Sequence, residues 1–277
     1  MKINKKFSYI IIFTLIIIGI ALVLFIKFNS HSNLVLYDNN PVSKSFASQL
    51  YNISNNETMA SQLGFGNTSA FPINEKSIPK LVINGSNKPN IIYIGSEACP
   101  FCGITRWSLI IALMRFGNFT NLHYMTSNST DVYPNTPTFT FYNSTYSSKL
   151  VNFVSVEEQT NTYKSLQTPT KQEITIYEKL DLNNSLVPSY ARGGVPFIDF
   201  GNLSVLVGAM DNPELVHNQN WSVILSELRN PRSVQGQAII GVANIFTAEI
   251  CAISNNTPGI CNETYVKTIQ KNLNIAT

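Results

Sequence analysis

The longest apolar run lies near the start of the chain. Phe7 to Ile26 is twenty residues without a charge, and Ile10-Ile11-Ile12 and Leu15-Ile16-Ile17-Ile18 fall inside it. At about 1.5 Å of rise per residue such a helix covers roughly 30 Å, the hydrocarbon thickness of a bilayer. Lys2, Lys5 and Lys6 precede the run and only Lys27 follows closely. The positive-inside rule then puts residue 1 in the cytoplasm and the rest of the chain outside it. A cleavable signal peptide is the competing reading. It calls for a shorter apolar region and a small-x-small cleavage site, and Lys27-Phe28-Asn29-Ser30 supplies none.

Beyond the anchor the pattern alternates between strand and helix periods. Phe46, Leu50 and Ile53 recur at helical spacing and predict a short helix over Pro41 to Ile53; residues 54–76 read as loop. Lys80–Ile83 and Asn90–Ile94 are short apolar runs separated by Gly85, Ser86 and Pro89, so two strands. A helical segment, Thr105 to Phe116, follows the second. Leu122–Thr126 reads as the next strand, closing a β-α-β unit that requires a parallel sheet. Thr138–Tyr142 and Leu150–Val156 predict a β-hairpin inside an insertion over 128–168. Thr170 and Glu173 form a capping box opening a helix to Leu180. Val195–Phe200 and Leu203–Val207 flank a Gly201-Asn202 turn as a second hairpin. Helices are expected at Asn220–Leu228, Ser233–Ile253 and Asn262–Leu273. The middle one is long and apolar, but Gln237, Asn244 and Glu249 and the sequons on either side argue for a buried helix, not a second span. The expected organisation is a cytoplasmic tip and anchor (1–28), a stalk and N-terminal extension (29–77), an α/β domain (78–230) and a C-terminal helical extension (231–277).

Composition narrows the function classes. Only 13% of residues are charged and the net charge is +3, with no basic run interleaved with aromatics, so nucleic acid is not an expected partner. A surface made soluble by neutral polar groups suits an acidic external medium. Asn-x-Ser/Thr sequons occur at Asn52, Asn56, Asn67, Asn84, Asn118, Asn128, Asn143, Asn183, Asn202, Asn220, Asn255 and Asn262, all after the anchor. The excess fits a glycosylated outer domain, although an Asn/Ser/Thr-rich chain also makes some by accident.

Four cysteines beyond an anchor predict an oxidising compartment. Cys99-Pro100-Phe101-Cys102 follows a strand and opens a helix. Pro100 suits the first helical position, which places Cys99 at the N-cap, where free amide hydrogens and the helix dipole favour a thiolate. Cys102 is about one turn on, within reach of the Cys99 sulfur. Such a pair can open a substrate disulfide through a mixed disulfide or, once oxidised, take electrons from a dithiol. A structural disulfide across so tight a loop would stabilise little, and zinc would want a second pair of matching spacing. Cys251 and Cys261, with nine residues of a turn-rich stretch between them, are expected to form a structural disulfide; a second redox pair relaying electrons is the alternative. His31, His123 and His217 are scattered, so neither a metal nor a cofactor is expected. Phe101 is expected on an apolar docking rim and Trp107 in the core.

These residues carry a resemblance. Ile91 to Gly103, a strand and then Cys-Pro-Phe-Cys-Gly opening a helix, resembles the active-site segment of the thioredoxin superfamily, nearest in form to glutaredoxins and some periplasmic disulfide oxidases. Gly194-Val195-Pro196-Phe197 matches the superfamily's later cis-proline segment in position and in the hairpin and helix after it. The resemblance implies a thioredoxin-like central sheet with flanking helices over about residues 78–230. It also implies a cis Pro196 facing the Cys99 sulfur, and substrate bound along the Val195 backbone beside Pro100 and Phe101. More narrowly, the anchor, the cysteine helix, the insertion and the tail from Ala248 to Cys261 resemble an uncharacterised archaeal family of membrane-anchored thioredoxin-like proteins. The expected activity is thiol–disulfide exchange on secreted or surface proteins. The alternatives are a non-catalytic binding module and exchange with a separate membrane redox partner. One departure stands out: where many relatives bury a carboxylate six residues before the first cysteine, this chain has Tyr93, and Glu97 is expected to lie exposed in the loop.

Overall fold

A computed structural model of the 277-residue chain describes residues 38–68, 70–75, 87–257 and 259–275. The apolar run 7–26, the expected strand at 80–83 and the sequon at Asn84 lie outside the described residues. The architecture is mixed α/β. A five-stranded sheet runs in the order β1–β9–β8–β2–β7, where β1 is Ile73–Asn74, β2 Asn90–Gly95, β7 Asn152–Glu157, β8 Phe197–Phe200 and β9 Ser204–Val207. Only β2 and β7 are parallel; β8 lies antiparallel to β2 and to β9. All six residues of β2 are buried, as befits a strand covered on both faces.

Strand alternation sorts side chains to the two faces. Ile91, Tyr93, Ile198, Phe200 and Leu206 join the larger core under the long helices, whereas Ile92, Ile94, Phe197 and Val205 meet Ile176 and Leu180 on the other side. Seven α-helices are described: α1 (Lys44–Ser54), α2 (Glu57–Leu63), α3 (Pro100–Leu113), α4 (Lys171–Tyr177), α5 (Trp221–Glu227), α6 (Val234–Ile253) and α7 (Thr264–Asn272). The expected α1 is present, capped by the Ser43 side chain and burying Phe46, Leu50 and Ile53. Thr170 and Glu173 complete their capping box on α4, which continues as a π-turn over Glu178–Leu182.

Three expectations need correction. Residues 54–76 are not all loop: α2, capped by Asn56, and the short β1 lie there. The strand after the cysteine helix does not close the parallel unit. Instead β4 (His123–Thr126) pairs antiparallel with β5 (Pro137–Thr140), and β3 (Gly117–Thr120) with β6 (Thr145–Ser148). The chain therefore makes a nested double hairpin away from the sheet before β7 returns as the parallel neighbour of β2, with Ile92 opposite Val154. Likewise the hairpin expected between 138–142 and 150–156 does not form. Its second half is β7, a strand of the main sheet, because a polar-apolar alternation fixes which face is buried but not which strand lies alongside. Trp107 and Trp221 donate their indole N–H to the carbonyls of Pro137 (2.8 Å) and Thr138 (2.6 Å), tying β5 against α3 and α5.

The long apolar helix α6 satisfies the length and composition of a membrane span, yet it forms the centre of the fold. Its polar residues find partners there. Asn244 donates to the carbonyls of Ala60 and Gly64, and the half-buried Arg115 just after α3 donates to Asn244 Oδ1 (2.9 Å) and Thr247 Oγ1 (2.6 Å). Gly66 and Gly241 let α6 and the loop after α2 touch backbone to backbone: a Cβ on Gly241 would lie 2.5 Å from the Phe65 carbonyl oxygen. A disulfide joins Cys251 at the end of α6 to Cys261, with Cα atoms 5.4 Å apart, just before α7.

Candidate active site

Strand β2 ends at Gly95, and the loop Ser96–Ala98 is held at both ends. Glu97 N–H donates to the Gln159 carbonyl (3.0 Å) beyond β7, and Cys99 N–H to the Ser96 carbonyl (3.2 Å). This delivers Cys99 to the N-cap of α3 with extended backbone and Pro100 at the first helical position. The Cys102 amide donates to the Cys99 sulfur at 3.3 Å, so the first turn of the helix begins on the sulfur itself. Cys99 is partly exposed and Cys102 fully buried; both are free thiols.

The other half of the site comes from the segment before β8. The Val195–Pro196 peptide is cis, and the Val195 carbonyl oxygen lies 3.9 Å from the Cys99 sulfur. Cys99, Cys102, Val195 and Pro196, some hundred residues apart in the chain, thus meet at one place. Pro100 is buried in the first turn, whereas Phe101 is 37% exposed and packs edge-on against Tyr133 (ring centroids 5.9 Å), which in turn packs on His217 (5.7 Å). Trp107 is buried in the core and away from this rim.

The two sulfurs titrate in opposite directions. Cys99 is held below the ordinary thiol range, chiefly by the Cys102 thiol donating to it, helped by the amides of Cys102 and Phe101 and by the Arg106 guanidinium; partial burial opposes. Cys102 is pushed well above that range by burial first and by its neighbour sulfur second. Of the two, Cys99, the partly exposed sulfur, is the one on which the site favours a thiolate.

Beneath the pair lies a group that motif reading missed. Arg106 and Glu157 form a fully buried ion pair, with Arg106 Nη2 2.6 Å from one Glu157 oxygen and Nε 2.9 Å from the other. Nη2 also donates to the Ser96 carbonyl (2.7 Å), and the guanidinium carbon sits 5.7 Å from the Tyr93 ring centre. The signal was present: Arg106 is four residues after Cys102 and seven after Cys99, one helix face inside an apolar stretch. The position of the expected carboxylate holds Tyr93, fully buried with an unpartnered hydroxyl. Glu97 corrects another expectation. It is only 3% exposed, because Thr140 and the loop at Gln159 close over it, and burial raises its carboxyl above the ordinary range.

Among the described residues no three His, Cys, Asp or Glu side chains gather as metal ligands. His123 lies in β4 and His217 beside Tyr133; His31 lies outside the described residues.

Fold and site together define a mixed α/β protein that presents a closely spaced cysteine pair at a helix N-terminus, against a cis-proline loop. The chain belongs to the family described as a domain of unknown function, DUF929, whose model matches residues 81–252. No curated protein and no solved structure matches it.

Proposed function

We propose that this protein is a thiol–disulfide oxidoreductase of thioredoxin-like fold, acting through Cys99 and Cys102 on thiols and disulfides of secreted or surface proteins. In the same reading it is held at the outer face of a membrane by residues 7–26 and glycosylated at exposed sequons. The fold reading is supported by the strand order β7–β2–β8–β9, parallel then antiparallel, with the cysteine helix after β2 and a cis-proline before β8. One observation carries the chemistry: the sulfur that meets solvent is the one that accepts the helix's first amide, and its partner waits buried one turn behind.

The roles follow from that asymmetry. The Cys99 thiolate attacks one sulfur of a substrate disulfide, forming a mixed disulfide and expelling the other substrate sulfur as thiolate. Cys102 then loses its proton and attacks Cys99, forming the Cys99–Cys102 disulfide and releasing the second substrate thiolate. Two electrons pass from the pair to the substrate. Run backwards, the oxidised pair takes two electrons from a substrate dithiol. The Val195 carbonyl, next to the cis Pro196, lies 3.9 Å from the Cys99 sulfur, where the chain flanking a bound substrate sulfur would run, and Phe101 with Tyr133 supplies an apolar rim.

Trapping tests the proposal. Cys102→Ser should accumulate mixed disulfides with client proteins that a reductant releases, and Cys99→Ser should accumulate none. A wild-type pair that resists both mild reduction and mild oxidation would leave a binding module on a redox-like fold.

A further inference from the structure

The buried ion pair under the cysteines is an unusual place to keep charge. Arg106 is 0% exposed and lies on the helix that carries both sulfurs, on their face. Taking a guanidinium out of water costs several kcal/mol unless its hydrogens find acceptors. Here Nε and Nη2 are engaged by Glu157 and the Ser96 carbonyl, but Nη1 is buried with no hydrogen-bond acceptor. A merely structural arginine would be expected to satisfy that group. The face of Tyr93 lies 5.7 Å from the guanidinium carbon, and Cys102 and Cys99 precede Arg106 by four and seven residues on the same helix.

We propose that Arg106 is a positioning residue that stabilises the reduced pair, with Glu157 as the counter-charge that limits its effect, so that together they set how strongly the Cys99–Cys102 disulfide draws electrons. This rests on the redox reading above and adds to it a direction. A buried cation favours negative charge on sulfur. The disulfide carries no such charge, so the cation stabilises the dithiol form over the disulfide, and a pair whose reduced form is stabilised is an oxidant. Arg106 lowers the proton affinity of both sulfurs, in line with this placement. The reaction it favours is balanced: the Cys99–Cys102 disulfide plus a protein dithiol gives the Cys99 thiolate, the Cys102 thiol, a protein disulfide and one proton. The substrate class is therefore protein dithiols, which lose two electrons to this site.

Opposite charge changes give opposite predictions. In Arg106→Met/Glu157→Gln, which removes the pair without stranding a carboxylate, the pH midpoint of Cys99 alkylation should rise. The equilibrium with glutathione should shift toward the Cys99–Cys102 disulfide, each by on the order of tenfold. In Glu157→Gln alone the cation is unopposed, and both readouts should move the other way. Arg106→Lys keeps the charge and should stay near wild type. Circular dichroism checks folding; should the double variant not fold, the Glu157→Gln and Arg106→Lys chains decide the matter. Unchanged midpoints in folded variants, or the same direction in both, would overturn the proposal. A wild-type pair that never equilibrates with glutathione sinks the redox reading instead, while the alkylation midpoints still judge Arg106.

Discussion

Glu249 offers a quantitative test of how this fold handles buried charge. The side chain projects from the middle of α6 and is 0% exposed. Ser204 on β9 is its polar neighbour, yet neither carboxylate oxygen completes a hydrogen bond of ordinary geometry. Burial moves its pKa from 4.5 to about 7. The folded chain therefore keeps this proton up to about pH 7, whereas the unfolded chain releases it near 4.5. Folding stability from this group is fully present below pH 4.5 and is lost as pH rises to about 7. At about 1.4 kcal/mol per pH unit the loss is roughly 3 kcal/mol. Glu249→Gln keeps the shape and removes the titration. We expect the variant to match wild type within about 1 kcal/mol at pH 4.5 and to exceed it by roughly 3 kcal/mol at pH 8. Urea unfolding at the two pH values, followed by the fluorescence of the buried Trp107 and Trp221, measures both differences. Asp199, also pushed to about 7 by burial, titrates in both chains and cancels in the comparison. A gain of equal size at both pH values would mean that Glu249 is not protonated in the folded protein, and the reasoning would fail.

Other outcomes follow from the same geometry. Iodoacetamide should modify Cys99 of the reduced protein below the pH at which an ordinary thiol reacts, and leave Cys102 untouched until the fold opens, as peptide mass mapping would record. Replacing both Cys251 and Cys261 by Ser should cost about 2–3 kcal/mol in urea unfolding, since the bridge closes a short loop. Gly241→Ala should cost about 1–3 kcal/mol and lower the melting temperature, because its Cβ would press on the Phe65 carbonyl.

How much of this was legible in the residues depends on which interaction decided each feature. Helix α1, the capping box, the second hairpin and α6 are local, and Phe46, Thr170, Gly201-Asn202 and the long apolar stretch announce them. The meeting of Cys99 with Val195 and Pro196 was legible only through resemblance, since nothing in the spacing brings two segments a hundred residues apart together. Strand partners were not legible. Leu122–Thr126 and Leu150–Val156 look alike as patterns, and only packing of Pro137–Thr140 against α3 decides that the first leaves the sheet and the second joins it. Arg106 was not legible as half of a buried pair, because its partner Glu157 lies fifty-one positions away on another element. Glu97 was misplaced for the same reason: its cover comes from Thr140 and Gln159.

The sequon excess also has a conformational source. Of ten non-glycine residues with positive φ among those described, nine are asparagine, and three of them, Asn143, Asn202 and Asn255, begin sequons. Asparagine tolerates this backbone through its short polar side chain. A protein that rounds its corners on amides ages at those corners. Asparagine is among the thermolabile residues, and hydrolysis leaves aspartate, which accepts the same left-handed turn. Each such event would add one negative charge, and wherever the ring-closed route leaves isoaspartate it would also lengthen the backbone at that turn, so the molecule's history would be written first in its isoelectric point.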